Sequence, residues 1–403
     1  MQTTKILQLT KTYHHGLKVL TIPAVVLLFL PNVFADSLIS QAIPAIYLPQ
    51  GHVIDALSGN GYNPSTLATL TTINSVNPAA LVDLKRGFGL SYQYDTKINP
   101  AWFADFKHRR IFNAIPQSAG LTVTLRNLHL GLAMDQVYNS ELDYGELIGT
   151  MVWGNDQGYI ETYTFHPKKI ESVYRYSFAA AYSLNRSKTL AIGFQYNQNH
   201  LNFSQYIGFE VIESESSDSL IRKRIIITQK TNTGNISVGI RYCTTNGVFS
   251  RILIGLYYES IVRFRHSFTY ESEKLVLTGD IPDKLHAGVY LEMPIKLYFS
   301  GNLTYVFWKN THSSFRNQPE LTVNLGFPVR KKLTLSGGAF YTHYHRTDFS
   351  DNWNNKFKAV YLILGGIFRM NDLSVEFTCA DSHLFSGEYR KQTLVKMGIG
   401  YSF

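Results

Sequence analysis

The sequence predicts an all-β protein: a transmembrane antiparallel β-barrel of 14 strands, with a hatch (plug) segment ahead of the first strand. Three observations predict this fold class. From residue 86 onward, segments alternate apolar with small or polar residues, the connections between them alternate in length, and Tyr and Phe gather at the segment ends. Each of these features is typical of barrels that cross the bacterial outer membrane.

The composition excludes several other classes of protein. Aromatic residues make up 14% of the 403 residues and charged residues only 17%, below the roughly 25% of an ordinary soluble domain. The mean hydropathy of -0.09 excludes a bundle of membrane helices. The two cysteines, Cys243 and Cys379, lie far apart and predict neither a disulfide scaffold nor a metal site. No cofactor is expected.

Residues 1–35 carry the features of a cleavable signal peptide. Lysines precede a short apolar run that ends at Leu30, and Ala35 occupies the small-residue position of a cleavage site. The run is about twelve residues long, shorter than the roughly twenty that a spanning helix needs, which disfavours the alternative of an anchoring helix. Export to the cell outer membrane of a Gram-negative bacterium follows. Export argues against nucleic acid as a partner, despite the net charge of +9.

Residues 36–85 do not follow the strand pattern. Short apolar pieces are interrupted there by Pro, Gly and Asn. A segment of this size before a barrel predicts a hatch inside it. The alternative of a disordered periplasmic tail is disfavoured because the segment is too apolar to stay solvated. The barrel itself is predicted over residues 86–403.

Alternation of period two defines the predicted strands. In "GFGLSYQY" the apolar Phe88 and Leu90 alternate with Gly89 and Ser91, and this period with one apolar face is the signature of a β-strand. The polar positions carry Gln, Asn, Ser, Thr and Gly rather than Lys and Glu, which favours a polar lumen and an apolar face toward lipid. The predicted strands are 86–96, 112–125, 127–137, 170–184, 187–205, 222–243, 250–270, 283–293, 295–308, 317–327, 331–347, 355–369, 371–382 and 390–403.

The connections predict which end of the barrel faces the periplasm. Short turns follow every second strand, and the other connections are longer. An even number of strands with short periplasmic turns and long external loops is typical of bacterial barrels, whereas a soluble β-sandwich gives no reason for such sorting. The longer segments are 97–111, 138–169, 206–221, 271–282, 309–316, 348–354 and 383–389.

Three stretches of the sequence match a known family. In "NPSTLATLTTINSVNPAAL" the residues Asn77, Pro78 and Ala79 match an Asn-Pro-Ala hatch motif. The hairpin "IPDKLHAGVYLEMPIKLYFSGNLTYVFW" (281–308) and the terminal "GIGYSF" match as well, although a C-terminal aromatic residue is shared by outer-membrane barrels in general. Through these stretches the chain resembles the outer-membrane long-chain fatty-acid transporters, the FadL and TodX family of hydrophobic-compound channels.

The resemblance implies passive transport. External loops capture a hydrophobic ligand, a luminal pocket receives it, and it leaves laterally through the barrel wall at an inward kink in the third strand. Asn77, Pro78 and Ala79 are implied as hatch or gate residues, and the terminal Phe403 as part of the signal read by the barrel-assembly machinery. Lateral release is physically reasonable because an apolar solute gains roughly 25 cal/mol per Å² on leaving water and therefore resists an aqueous pore.

Apolar residues in two predicted external loops are the candidate ligand-binding residues. Exposed apolar patches usually mark binding surfaces, so these residues predict a capture groove for a fatty acid or hydrocarbon. The alternative is that the two loops pack on each other and cap the barrel. The candidates are Leu147, Ile148, Met151, Val152 and Trp153 in the first loop, and Phe209 and Ile212 in the second.

Strand parity places Arg175, Arg241 and Lys396 in the lumen. Arg175 lies nearest the outer half of the barrel, which makes it the candidate partner of a ligand carboxylate. The alternative for each cation is an ion pair with a luminal carboxylate such as Glu376 or Glu292.

Two basic clusters, at 107–110 and 222–224, fall at the predicted outer rim. Opposite a phosphate-rich outer leaflet they predict contacts with lipopolysaccharide and other outer-membrane lipid. A solvated loop face is the alternative.

The leading function is therefore a passive channel for hydrophobic molecules, expected to be a monomer. It is not expected to be an enzyme, because no nucleophile, base and orienting carboxylate stand out together. The alternatives are a general diffusion porin for hydrophilic solutes and an adhesin or structural barrel whose loops bind another partner. The pre-barrel segment favours the channel, because a porin begins almost directly with its first strand.

Overall fold

A computed structural model describes the chain from residue 63 onward, with gaps. The described residues are 63–97, 118–143, 147–153, 159–185, 187–212, 221–270, 273–311, 315–343, 358–387 and 392–403. The predicted signal peptide, the first part of the predicted hatch and the basic cluster at 107–110 lie outside them. Within the described ranges, no helix is long and apolar enough to cross a membrane.

Among the described residues, fourteen antiparallel strands close into a barrel, which confirms the predicted fold class. The first strand (Gly87–Lys97) pairs with the last (Gln392–Ser402), and the pairing of Leu128–Asp143 with Tyr159–Ser183 completes the ring. The barrel strands are β1 (Gly87–Lys97), β2 (Ser118–Leu125), β3 (Leu128–Asp143), β5 (Tyr159–Ser183), β6 (Leu190–Ile212), β7 (Ile221–Thr244), β8 (Arg251–Glu259), β11 (Lys284–Glu292), β12 (Tyr298–Val306), β13 (Gln318–Arg330), β14 (Leu333–Thr342), β15 (Ala359–Met370), β16 (Leu373–Asp381) and β17 (Gln392–Ser402).

Three further strands lie where the sequence predicted loops or a longer strand. β4 (Leu147–Trp153) pairs with the outer part of β5, and β9 (Val262–Tyr270) pairs with β10 (Glu273–Ile281) in a separate two-stranded sheet. The assignment of 138–169, 206–221 and 271–282 to loops was therefore wrong in part. Strands β5, β6 and β7 continue outward and keep pairing there, which satisfies their backbone groups beyond the barrel wall.

The predicted strand 250–270 divides into β8 and β9 at Ser260 and Ile261. At this point side-chain hydrogen bonds accompany the last backbone contact between β7 and the end of β8. The Ser260 hydroxyl accepts a hydrogen bond from the Ile236 amide at 3.0 Å, and the Asn235 amide group donates to the Ser260 carbonyl at 2.9 Å. Side chains of Ser and Asn commonly compete with a ladder in this way, and the chain leaves the barrel wall here.

The barrel wall has an apolar outer face and a polar inner face. Outward-pointing Leu132, Phe178 and Leu364 are 54%, 46% and 67% exposed, whereas lumen-facing positions carry buried polar groups such as Asn197 and Asn302. This is the reverse of a soluble fold, and it is the arrangement of a barrel surrounded by lipid. It confirms the parity predicted from the alternating pattern.

The closing strand follows the same parity. Met397, Ile399 and Tyr401 are exposed on the outer face, and Lys396 is buried on the inner face. The amide of Phe403 donates a hydrogen bond to the carbonyl of Arg86 at 3.0 Å. The terminal aromatic residue therefore lies where the last strand seals against the start of the first.

Candidate functional site

Residues 63–84, called the inner segment below, lie inside the barrel. Two short 3₁₀ helices, Ile73–Ser75 and Pro78–Asp83, form part of this segment. It is hydrogen-bonded to strands on several sides of the lumen: Asn63 donates to the carbonyls of Val289 and Gly301, both at 2.9 Å, and Thr71 donates to Glu376 at 3.2 Å. Such contacts on well-separated strands of the wall fix the segment in the lumen.

Asn77 is the central anchor of the inner segment. Its side-chain oxygen accepts a hydrogen bond from the Ala79 amide at 2.9 Å and so caps the 3₁₀ helix, in which Pro78 is the first residue. The Asn77 amide group donates to the carbonyl of Ser65 at 2.8 Å and to that of Ile240 on β7 at 2.9 Å. This geometry needs an acceptor and two donors on one short side chain, which asparagine supplies. The predicted gate residues therefore lie buried at a junction between segment and wall.

Two glycines on the wall make room for this junction. A Cβ atom on Gly255 would lie 1.7 Å from the Ser65 carbonyl oxygen, and one on Gly239 would lie 2.0 Å from the Asn77 side-chain oxygen. Close approach of two backbones is a common reason for glycine in a strand. The lumen-facing glycines could have indicated this contact in the sequence, but there they predict only small residues on the inner face.

Asp83 forms the inner segment's ionic contact with the wall. Its carboxylate pairs with the guanidinium groups of Arg241 on β7 and Arg251 on β8, and one Arg241 nitrogen lies 2.9 Å from Oδ1. Arg241 was predicted either to meet ligand or to pair with a carboxylate such as Glu376 or Glu292. Arg241 does form an ion pair, but its partner is Asp83, which was not among the predicted residues.

The Asp83 pairing depends on pH with a definite sign. Burial by itself would raise the pKa of the Asp83 carboxyl, but the adjacent guanidinium groups of Arg241 and Arg251 hold that pKa below its ordinary value. A carboxyl with a lowered pKa stabilises the folded state above the unfolded pKa of about 4. This contribution is present at neutral pH and is lost as the pH falls through the lowered pKa.

Arg175 is already paired in the lumen. Its Nη2 lies 2.6 Å from Glu259 Oε1, and its Nε donates to Asn199 Oδ1 at 3.0 Å. Arg175 and Glu259 are both buried. A ligand carboxylate would have to compete with Glu259 for this guanidinium, so binding of ligand by Arg175 stays a prediction. Lys396 lies on the strand beside the one that carries Glu376.

An apolar cluster lies at the outer end of the lumen, above the Arg175–Glu259 pair. We call it the outer apolar cluster. Every member is at most 5% exposed, and Trp308 is held by a hydrogen bond from Nε1 to Gln318 Oε1 at 2.6 Å. Its members are Val137, Val173, Leu201, Val262, Phe264, Ile281, Val306, Trp308 and Phe315.

The outer apolar cluster crosses the lumen. It joins Val137 on β3 to Val306 on β12, and these strands lie six steps apart in the ring of fourteen, along the order β3, β5, β6, β7, β8, β11, β12. This cluster was not predicted from the sequence, because seven separate parts of the chain contribute to it. Apolar residues at lumen-facing positions near the outer strand ends, such as Val173 and Leu201, were the available signal.

The third strand carries an irregularity at the cluster. The pairing of β3 with β5 shifts register between Gln136 and Tyr138, and the extra residue, Val137, is buried in the outer apolar cluster. A β-bulge of this kind bends a strand and redirects a side chain. The resemblance implied a kink in the third strand, and the bulge lies within that strand.

The predicted capture residues lie in paired strands rather than in loops. Leu147 on β4 pairs with Phe165 on β5, which pairs with Phe209 on β6. In the same register Met151 and Trp153 lie opposite Glu161 and Tyr159 on β5, and Ile212 on β6 lies opposite Thr162. A capture role for these residues stays a prediction.

The second basic cluster also lies on a strand. Residues 222–224 lie near the start of β7, where the backbone register places Arg222 opposite Glu210 and Lys223 opposite Phe209 on β6. Cys243 and Cys379 are both free thiols, on β7 and β16. In the described part of the chain, no group of His, Cys, Asp and Glu side chains has the arrangement of a metal site.

Comparison with solved structures gives the fold but no sequence relative. No family model and no curated protein matches the chain. Similar structures are the toluene transporter TbuX of Ralstonia pickettii (12% identity, TM-score 0.54, covering 89% of this chain and 99% of that one), a FadL homologue of Pseudomonas aeruginosa (11%, 0.56, 86% and 96%) and the monoaromatic hydrocarbon channel CymD (12%, 0.51, 87% and 97%). The chain therefore has the fold of the FadL and TodX hydrophobic-compound channels, which its sequence resembles.

Proposed function

We propose that this protein is a passive outer-membrane channel that takes up hydrophobic molecules. Ligand is captured by the outward extension of β4, β5 and β6, enters the lumen at the outer apolar cluster, and leaves laterally into the bilayer beside β3. The resemblance of the sequence and the names of the structural neighbours, a toluene transporter and a monoaromatic hydrocarbon channel, support this class of cargo.

One observation carries the proposal: the outer apolar cluster reaches the bulge of β3 at Val137. Below this cluster the inner segment fills the lumen and packs against both polar and apolar positions of the wall. An apolar molecule could pass there only by displacing the inner segment, whereas the outer apolar cluster offers it apolar contacts up to Val137. We place the lateral exit at this bulge because a bulge interrupts the regular pairing of β3 with β5.

The filled lumen argues against a general diffusion porin. A porin keeps an aqueous channel through its barrel. Here the inner segment lies across the lumen, and Ser65, Asn77 and Val82 are all fully buried against the wall. A hydrophilic solute would meet this segment whatever its size.

The pairing of Arg175 with Glu259 favours uncharged ligands. Because the guanidinium already has a carboxylate partner at 2.6 Å, a fatty-acid carboxylate placed there would lie close to a second negative charge. Like charges at short distance repel strongly in a buried site. An uncharged hydrocarbon meets no such cost, so we expect it to bind more tightly than a fatty-acid anion of similar size.

Trp308 allows a direct test of ligand binding. In a variant with Trp102, Trp153 and Trp353 changed to Phe, Trp308 is the remaining tryptophan, and a brominated ligand in contact quenches its fluorescence. We expect bromobenzene to quench Trp308 in the reconstituted protein and a brominated fatty acid to do so only at higher concentration. Glu259→Gln removes the competing charge and should tighten the fatty acid alone, by about tenfold for each 1.4 kcal/mol of relieved repulsion.

Gln136→Leu serves as the control for Glu259→Gln, because it alters a buried polar side chain of the barrel wall without changing a charge. This variant should leave the ratio of the affinities for bromobenzene and the brominated fatty acid unchanged. Absence of quenching by either ligand at saturating concentration would contradict binding at the cluster. If Glu259→Gln changed the affinity for both ligands equally, the Glu259 carboxylate would not be what disfavours the fatty-acid anion.

A further inference from the structure

The β9–β10 hairpin fills the outer lumen with its own side chains. Val262 and Phe264 are 0% exposed and Ile281 is 3% exposed, and all three belong to the outer apolar cluster. They come from the base of the hairpin, and the remaining cluster members come from the barrel wall and the segment after β12. The hairpin therefore occupies the space in which the proposed function places the ligand.

The hairpin is held differently from every barrel strand. β9 and β10 pair with each other and form a sheet separate from the barrel. Non-strand residues flank the hairpin on both sides, Ser260 and Ile261 before it and Pro282 and Asp283 after it. The base is therefore attached to the wall mainly by apolar side-chain contacts rather than by a backbone ladder, so that it can leave without breaking strand pairing.

Hydrogen bonds attach the residues on both sides of the hairpin to neighbouring parts of the barrel. The Ser260 amide donates to the Ile236 carbonyl at 2.9 Å. On the other side, the Asp283 carboxylate accepts hydrogen bonds from the Tyr258 hydroxyl at 3.2 Å and from the Asn310 amide group at 2.9 Å. With both ends fixed and a base held by apolar contact, the hairpin is suited to rotate as a unit about these points.

We propose that the β9–β10 hairpin is the outer gate of the channel, and that a hydrophobic ligand enters by replacing Val262, Phe264 and Ile281 in the outer apolar cluster. The inference rests on the proposed function. A hydrophobic molecule offers the wall the same apolar contacts as the hairpin base, so it shifts the equilibrium toward the open state. A hydrophilic solute offers no such contacts and leaves the gate closed. The gate thus selects for hydrophobic ligands before the inner segment is reached.

A cysteine at position 264 tests the gate. In a Cys243→Ser and Cys379→Ser background, Phe264→Cys is buried while the gate is closed. We expect a charged, membrane-impermeant maleimide to modify it slowly, and saturating toluene to speed modification at least about fivefold, because ligand binding populates the open state. Sucrose at equal concentration should have no effect.

Phe340→Cys in the same background is the matched control. Phe340 is 1% exposed and lies in a different buried cluster, on β14. Toluene should not change its rate of modification. If Phe264→Cys does not give a folded barrel on a heat-modifiability gel, Val262→Cys replaces it, with the same expected result.

Two outcomes overturn the gate. An unchanged rate at position 264 in toluene means that the hairpin base stays in place, and a slower rate means that ligand covers a fixed hairpin. Trp308 quenching judges the proposed function separately. If bromobenzene quenches Trp308 but toluene does not speed maleimide modification at position 264, the hairpin is not a gate, although the channel proposal stands. Faster modification at position 264 supports the gate even if transport proves absent.

Discussion

Replacing Gly255 with valine will displace the inner segment and open the lumen. A Cβ atom at this position would lie 1.7 Å from the carbonyl oxygen of Ser65 and 3.3 Å from the Asn77 amide nitrogen, so valine and the inner segment cannot occupy their places together. The barrel strand is paired on both sides, and the inner segment is therefore the part that moves. We expect the variant to admit sugars, with a rise of at least about tenfold in the swelling rate of proteoliposomes, since an open barrel of this size holds water.

Gly301→Val is the matched control for Gly255→Val. Gly301 lies on β12 and faces outward, and the atoms nearest to an added Cβ belong to the Phe299 ring, at 3.7 Å. Valine fits there, and sugar swelling should stay at the level of the original protein. A Gly255→Val barrel that is folded yet as impermeable as the original would contradict the placement of the inner segment.

Replacing Asp83 with asparagine will release the inner segment from its ionic contact. Arg241 is 1% exposed, and removal of its carboxylate partner leaves a buried guanidinium without charge compensation from Asp83. Breaking a buried pair in this way costs about 3 kcal/mol or more, which corresponds to about a hundredfold change in an opening equilibrium. We expect a cysteine at the buried position Ser65 to react about a hundredfold faster with an impermeant maleimide in the Asp83→Asn variant.

Lys296→Gln provides the control for the Asp83 variant. Lys296 pairs with Glu292 at 3.6 Å, but the lysine side chain is 73% exposed, and exposed pairs contribute little to stability. The reactivity of the Ser65→Cys thiol should therefore not change. Equal reactivity in the Asp83→Asn variant and the original protein would show that hydrogen bonds alone hold the inner segment.

The strands of the barrel could be predicted from the sequence because alternation is a local property. Each strand of the wall has lipid on one side and the lumen on the other, so the pattern of period two appears in every strand. One predicted strand departs from this rule. The predicted strand 250–270 continues the alternation past Ser260, but Ser260 accepts hydrogen bonds from the Asn235 side chain and the Ile236 amide where β8 ends. Those bonds join different strands, and one strand's pattern does not contain them.

The contacts inside the lumen could be predicted only in part. The parity of Arg175, Arg241 and Lys396 was confirmed, because each follows from its own strand. Their partners did not follow: Arg241 pairs with Asp83 of the inner segment, and the path of that segment depends on contacts with many strands. The outer apolar cluster could not be predicted for the same reason, since Phe264 and Trp308 come together only in the folded barrel.

The most direct test of a hydrophobic-compound channel compares two solutes on one preparation. The protein is reconstituted in vesicles whose outer leaflet is lipopolysaccharide, which slows hydrocarbons, and the entry of toluene is measured beside swelling in sucrose. We expect faster entry of toluene than in vesicles without protein, and no added permeability to sucrose, because the inner segment fills the lumen and we propose that apolar ligand leaves through the wall. Sucrose permeability without faster toluene entry would contradict a hydrophobic-compound channel and indicate a general porin.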